Sequence, residues 1–288
     1  MATSQNEKEK TTMTTRDFYR NQPLSNDQLM RFAPSVFATK PWQAMSARYS
    51  FIPTINVIEK MRAEGFQPYA AQQAVTRIEG KGEFTKHLVR FRDDRQGTEP
   101  AIHSLGQIFP ELVLINSHDG LSSYQLQAGF FRLVCLNGMI CADGSFSPIN
   151  VRHSGDVSDV IEASYQVIEQ FPKVLDSVES FQGKLLSANE AEAYGAGALA
   201  IRYDEGTSPI QPVDVIRPRR SEDQKPTLWN LFNRVQENLT QGQAGLNRVN
   251  LETGRRTKRT RAIKSISEDT RVNKALWAFT EKIRDLMS

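Results

Sequence analysis

Residues 112–141 read LVLINSHDGLSSYQLQAGFFRLVCLNGMIC, and the parsing of that stretch decides the fold. Aliphatic residues fill 112–115, Asn116-Ser117-His118-Asp119-Gly120 supplies turn chemistry, and 122–136 returns to aromatic and aliphatic residues interleaved with polar ones. Two such runs joined by a short polar segment are the pattern of antiparallel strands, predicted here over 112–117 and 122–136. Asn137-Gly138 reads as the next turn, because a type I′ hairpin needs positive φ at both central residues and Asn-Gly meets that need at least cost. A hairpin there sets Leu136 against Met139, makes 139–141 the following strand and brings Cys135 close to Cys141.

Working outward, strands are expected at 70–78, 87–92 and 150–153, divided by Glu79-Gly80-Lys81-Gly82 and Asp93-Asp94-Arg95-Gln96-Gly97. Upstream, Ser25 precedes a short helical pattern that must end before Pro34, and Thr54 reads as the cap of a second helix ending at Gly65. After Asp156 the apolar period becomes helical, with Val157, Val160, Ile161, Ser164, Val167, Ile168 and Phe171 on one face and Pro172 kinking or dividing the run. Ser187 and Glu190 have capping-box spacing for a helix reaching about Arg202, and further helices are expected at 227–240 and from about 268 to 287. Proline-bearing 204–225 reads as a strap. The fold class is therefore α+β: a twisted, mainly antiparallel sheet over about 66–153 with helices packed on it. Residues 1–22 carry too little apolar periodicity to order and are expected to be a disordered tail, leaving 23–288 as one α+β domain with a helical, basic part from about 154.

The chain has 288 residues, 39% of them hydrophobic, which is enough to bury a large core. No stretch approaches the roughly 20 apolar residues of a membrane span, and the start lacks an apolar signal region, so no membrane partner and a cytoplasmic location are expected. Two cysteines make neither a disulfide framework nor a standard zinc site and read as buried structural thiols. No nucleophile elbow, Walker loop or dinucleotide fingerprint is present, and Gly195-Ala196-Gly197 lies in a helical stretch as a close-packing site, so no cofactor is expected.

Two constellations carry chemistry. His118 beside Asp119 has the groups for an acid/base couple or a metal-ligand pair, with His87, His103 or His153 as partners. The same five residues are also ordinary turn vocabulary. The second is Arg255-Arg256-Thr257-Lys258-Arg259-Thr260-Arg261-Ala262-Ile263-Lys264, with six cations in ten residues. From 216 to 264 there are twelve Lys/Arg against four acids, so that segment is +8 and the rest of the chain −5, for the total of +3. Such crowding points to a polyanion, or to a solvated helix face. Arg255, Arg256, Lys258, Arg259, Arg261 and Lys264 are the expected phosphate contacts. Lys86, Arg90 and Arg92 share one strand face and offer a second row. Tyr69, Phe84, Phe91, Tyr124, Phe130 and Phe131 are available to stack on bases wherever they face solvent, although burial suits most of them better.

Phe51-Ile52-Pro53-Thr54, Asn116-Ser117-His118-Asp119-Gly120, Phe131-Arg132-Leu133-Val134-Cys135-Leu136-Asn137-Gly138, Gly254 to Ile263 and Asn273-Lys274-Ala275-Leu276-Trp277 occur in that order. Together they resemble the bacterial family catalogued as domain of unknown function 932, from about residue 30 to the end. The resemblance implies an origin on plasmids, prophages or phages. It also implies a shared architectural or binding role for Asn116, Ser117, His118, Asp119, Gly120, Arg132, Asn137 and Gly138. The expected function is non-enzymatic DNA binding for a mobile element, with single-stranded binding or annealing by a homo-oligomer as one form. The rivals are a metal-dependent nuclease or hydrolase centred on His118 and Asp119, and a protein-binding module that counters host defence.

Overall fold

The computed structural model describes residues 22–45, 49–96, 100–101, 107–133, 137–141, 148–151, 156–242 and 260–287. The tail expected over 1–22 therefore lies, but for its last residue, outside the described residues. Six strands form one sheet: β1 (Phe66–Gln73), β2 (His87–Asp93), β3 (Ile108–Asn116), β4 (Tyr124–Arg132), β5 (Asn137–Ile140) and β6 (Ile149–Val151). The order is β1-β2-β3-β4-β5, with β6 also on β4, and every pairing is antiparallel. The chain is α+β, as its periodicity indicates.

Alternation gives the sheet two unlike faces. One carries Val89, Phe91, Leu112, Leu114, Leu126, Ala128, Phe130 and Met139 into the main apolar core. Helices α1 (Asn26–Phe32), α2 (Thr54–Ala63), α3 (Val157–Ile168), α4 (Phe171–Gly183), α5 (Ala188–Arg202), α7 (Leu228–Thr240) and α8 (Ile266–Leu286) build that core, with the single turn α6 (Pro212–Val215) against α5. Phe130 meets the rings of Trp229 and Trp277, each at 5.6 Å, which fastens α7 and α8 to β4. The second face carries Leu88, Arg90, Arg92, Glu111, Val113, Ile115, Gln127 and Ile140. Ile266, at the start of α8, closes over Leu88, Val113, Ile115 and Ile140. Trp277 lies on the first face and Ile266 on the second, so α8 rounds the β5 edge of the sheet.

The helix ends follow local chemistry. Ser187 with Glu190 forms the expected capping box, and Ser25 with Gln28 forms a second one. Pro172 stands in the first turn of α4, so it divides the run into two helices. Gly65 takes φ +92° where α2 ends. A Cβ at Gly197 would lie 2.6 Å from the Phe279 ring and one at Gly195 2.9 Å from the Pro212 carbonyl, so the α5 glycines allow close helix packing as expected.

Three expectations are corrected. Asn137-Gly138 is not a turn: Asn137 pairs with Arg132 and Gly138 with Phe131 inside β5. The turn preference of the dipeptide yields to a register that sets Phe130 opposite Met139 in the core. Cys135 lies outside the described residues, and Cys141 is buried. β1 begins at Phe66 and stops at Gln73, so 74–78 belongs to a loop, and β3 starts as early as Ile108. Pro53, not Thr54, is the cap position of α2, because the Thr54 hydroxyl is engaged elsewhere. Among the described residues no helix is long and apolar enough to cross a membrane.

Candidate nucleic-acid interface

The turn at His118 is drawn into the fold. Asn116, Ser117 and His118 are fully buried, and Gly120 takes φ +76° with Met45 packed where a side chain would stand. Thr54 Oγ1 lies 2.9 Å from His87 Nε2, 3.1 Å from His118 Nε2 and 3.0 Å from the donating Asn116 Nδ2. Tyr124 donates its proton to the Ile52 carbonyl at 2.8 Å. His87 Nδ1 faces Ser35 Oγ at 2.8 Å and the Thr85 carbonyl at 3.2 Å, and a carbonyl only accepts. A proton on His87 Nδ1 serves the Thr85 carbonyl, and the Thr54 hydroxyl gathers both imidazoles, the Asn116 amide and, at 3.3 Å, the Tyr124 hydroxyl. The network therefore ties α2, β2 and the β3–β4 turn together at one sheet end. Asp119 turns to Lys81 instead, at 3.0 Å, so the supposed His118/Asp119 couple has separate partners. Among the described residues no three His, Cys, Asp or Glu side chains are placed to hold a metal ion. His103 and His153 lie outside the described residues.

Lys86, Arg90 and Arg92 do share a face, but the solvent-facing row expected of them is not formed. Arg90 and Arg92 are 2% and 7% exposed and grip Glu111 from two sides, at 3.2 and 2.9 Å. Arg90 also donates to the Met139 carbonyl. The Arg92 guanidinium stands 4.3 Å from the centres of the Tyr69 and Phe109 rings and 4.9 Å from Phe131. Tyr69 and Phe131 thus enclose an arginine rather than stack on bases, and Phe84, Phe91, Tyr124 and Phe130 are buried too. Arg132 is buried against Asp223 at 2.8 Å, pinning the 221–223 turn to the end of β4.

Asp269, in the first turn of α8, lies within electrostatic reach of Arg90. Burial pushes its carboxyl up to about 6 from 3.8, with Arg90 and Asn273 pulling the other way. The unfolded chain gives up that proton near 3.8, whereas the folded one keeps it until about 6, so the folded state binds more protons in between. Stability from this group is present below 3.8 and is lost as pH rises to about 6. The difference amounts to about 3 kcal/mol. Asp269→Asn should narrow the gap between urea midpoints measured near pH 4 and near pH 8.

The basic run attaches at the C-terminal end of α7, where the last turn leaves carbonyls without helical partners. Arg202 donates to the carbonyls of Leu239 and Arg261, Arg219 to that of Gly242, and Thr260 Oγ1 to that of Asn238 at 3.3 Å. The Ile263 amide takes the Thr240 carbonyl at 2.8 Å. Cations at this end also complement the helix dipole. Gly242 packs directly on the backbone of Arg261 and Ala262, so the chain before 243 and the chain after 259 meet at one place. Arg255, Arg256, Lys258 and Arg259 lie outside the described residues. Arg261 and Lys264 are exposed, and among the described residues neither is in an ion pair. Lys86 joins them from the sheet, donating to Ser267 Oγ at 2.9 Å. Part of the sequence-level excess is internal: Arg220 pairs with Glu237 at 2.7 Å, and Arg234 donates to the carbonyls of Asp223 and Lys225. Arg202 carries no sequence signal, since only folding brings it beside Arg261.

The family model described as Domain of unknown function (DUF932) matches residues 41–277. The chain belongs to this family. Within the DUF932 family it is 40% identical over 265 residues to UPF0380 protein YafZ of Escherichia coli (strain K12), covering 92% of this chain and 93% of that one. UPF0380 protein YfjQ of the same strain is 39% identical over 265 residues with the same coverage. No solved structure matches the chain.

Proposed function

We propose that this DUF932 protein binds DNA in the cytoplasm without catalysing a reaction and serves a mobile genetic element. The observation that carries the reading is the exposed position of Arg261 and Lys264, set beside Arg202 and Lys86 on a segment anchored to α7. Arg255, Arg256, Lys258 and Arg259 precede that anchor in the sequence. The free energy comes from counterions released as these side chains neutralise phosphates. The nuclease rival loses its argued pair, since His118 is taken into a buried network and Asp119 into an ion pair with Lys81.

The test is a titration of labelled single-stranded and duplex DNA at two salt concentrations, for the wild type and for Arg261→Ala/Lys264→Ala. Affinity should fall steeply with salt, and the double variant should flatten the slope by about 1 for each cation on a phosphate. Salt-insensitive binding, or an unchanged slope in the variant, overturns the reading. Cleaved product appearing only with added Mg²⁺ or Mn²⁺ would transfer support to the nuclease.

A further inference from the structure

A hydroxyl has one proton to give and two lone pairs to receive with. Around that of Thr54 stand Nε2 of His87, Nε2 of His118, Nδ2 of Asn116 and the Tyr124 oxygen, at 2.9, 3.1, 3.0 and 3.3 Å. Tyr124 gives its proton to the Ile52 carbonyl, and Asn116 donates to Thr54, which occupies one lone pair. One lone pair is left for the imidazoles. Only one of the two rings can therefore aim an N–H at Thr54, and the other has to present a bare Nε2 that takes the Thr54 proton. The ring centres lie 5.2 Å apart and both histidines are fully buried, so a second positive charge would also meet the first at close range.

The chain ahead of α2 is fastened over this pair. The Phe51 ring lies 4.9 Å from that of His118, and Tyr49 donates to the Ser117 carbonyl at 3.4 Å. The Trp42 amide donates to the His118 carbonyl at 2.9 Å, its ring lies 5.3 Å from that of Phe84, and Met45 fills the space beside Gly120. Trp42, Met45, Tyr49 and Phe51 belong to no helix or strand, so contacts of this kind hold them. Beneath them Asn116 Oδ1 and Ser117 Oγ are buried without a hydrogen-bond partner, and both would gain one from water on opening.

From this geometry we infer a pH-operated latch: the chain ahead of α2 stays closed on the β3–β4 turn while His87 or His118 is neutral, and is released when both rings carry a proton on Nε2. An open cluster takes up imidazole protons near the ordinary value of about 6.5, whereas the closed one excludes the second. The open form then binds more protons below about 6.5 and gains on the closed form by up to about tenfold per pH unit as pH falls. Tyr49, ahead of α2, and Tyr124, on β4, face the pair and stay uncharged throughout, because burial pushes the first up to about 12 and the second higher still. Asp119, whose charge adds to the effect on Tyr49, is paired with Lys81 of the β1–β2 loop at 3.0 Å.

Amide exchange of the full chain at pH 7 and pH 5, each corrected for the intrinsic rate at that pH, reads the latch at the Trp42 amide. Its protection should fall about 30-fold, while amides at the centre of β3 and β4, which report global stability and with it the Asp269 contribution, should not fall in step. His118→Gln keeps a donor but cannot titrate, and should hold Trp42 protection level between the two pH values. On the wild type, ring signals followed by NMR should show only one of His87 and His118 gaining a proton before Trp42 protection is lost. If both rings charge while Trp42 stays protected, the latch is overturned. It is equally overturned if Trp42 protection does not change with pH, or drops as far in a folded His118→Gln as in the wild type. Should that variant fail to fold, the ring titration of the wild type decides. No nucleic acid enters these measurements, so their outcome is independent of the DNA-binding reading.

Discussion

Glu111→Ala is expected to destabilise the protein by about 3–5 kcal/mol, because it leaves two arginines buried without their carboxylate. Glu111 is fully buried beside Leu112, the β3 partner of Phe91, and its carboxylate lies between Arg90 and Arg92. Neither guanidinium can escape. Arg92 is closed in by Tyr69, Phe109 and Phe131, and Arg90 is tied to Met139 at the far side of β4. The loss should appear as a lower urea midpoint with unchanged slope. Arg90→Met/Glu111→Leu/Arg92→Met, which removes all three charges together, should recover much of it, since a buried ion cluster costs desolvation that apolar side chains do not. A Glu111→Ala cost below about 1 kcal/mol would mean that solvent reaches this face.

Gly129→Val should rank next, with a loss of about 3 kcal/mol or more. A Cβ at Gly129 would lie 2.5 Å from the Met139 carbonyl oxygen, 3.0 Å from Val113 Cγ2 and 3.5 Å from Arg90 Nη1. The first contact is backbone and cannot yield without parting β4 from β5, and the missing side chain is the space through which Arg90 passes. Gly129→Ala should already lower the melting temperature, and amide exchange in β5 should accelerate before the rest of the sheet. Gly183→Ala is the control. Nothing lies within 4 Å of a Cβ there, and alanine at the end of α4 should be neutral or stabilising.

The two corrected residue groups share a cause. Period two placed Lys86, Arg90 and Arg92 on one face, and they are there. Whether that face meets water depended on Glu111, Phe109 and Phe131 from other strands and on α8 rounding the sheet edge, none of which is local to β2. Likewise Asn137-Gly138 has turn chemistry, yet pairing of Phe130 with Met139 outweighed it. The site residues divide in the same way. Arg261 and Lys264 were legible as a charge cluster, because six cations in ten residues stand out in any fold. The meeting of His87 with His118 on the Thr54 hydroxyl was not, because those residues lie 33 and 64 positions from Thr54.

Element type, helix caps, the α+β class and the basic run were written in the sequence itself, since each depends on side chains within a few positions of one another. Register, the burial of an ion triad, and the anchoring of the Arg261–Lys264 segment by Arg202 were decided only by tertiary structure. They depend on which distant surfaces exclude water from one another, and a local pattern carries no record of that.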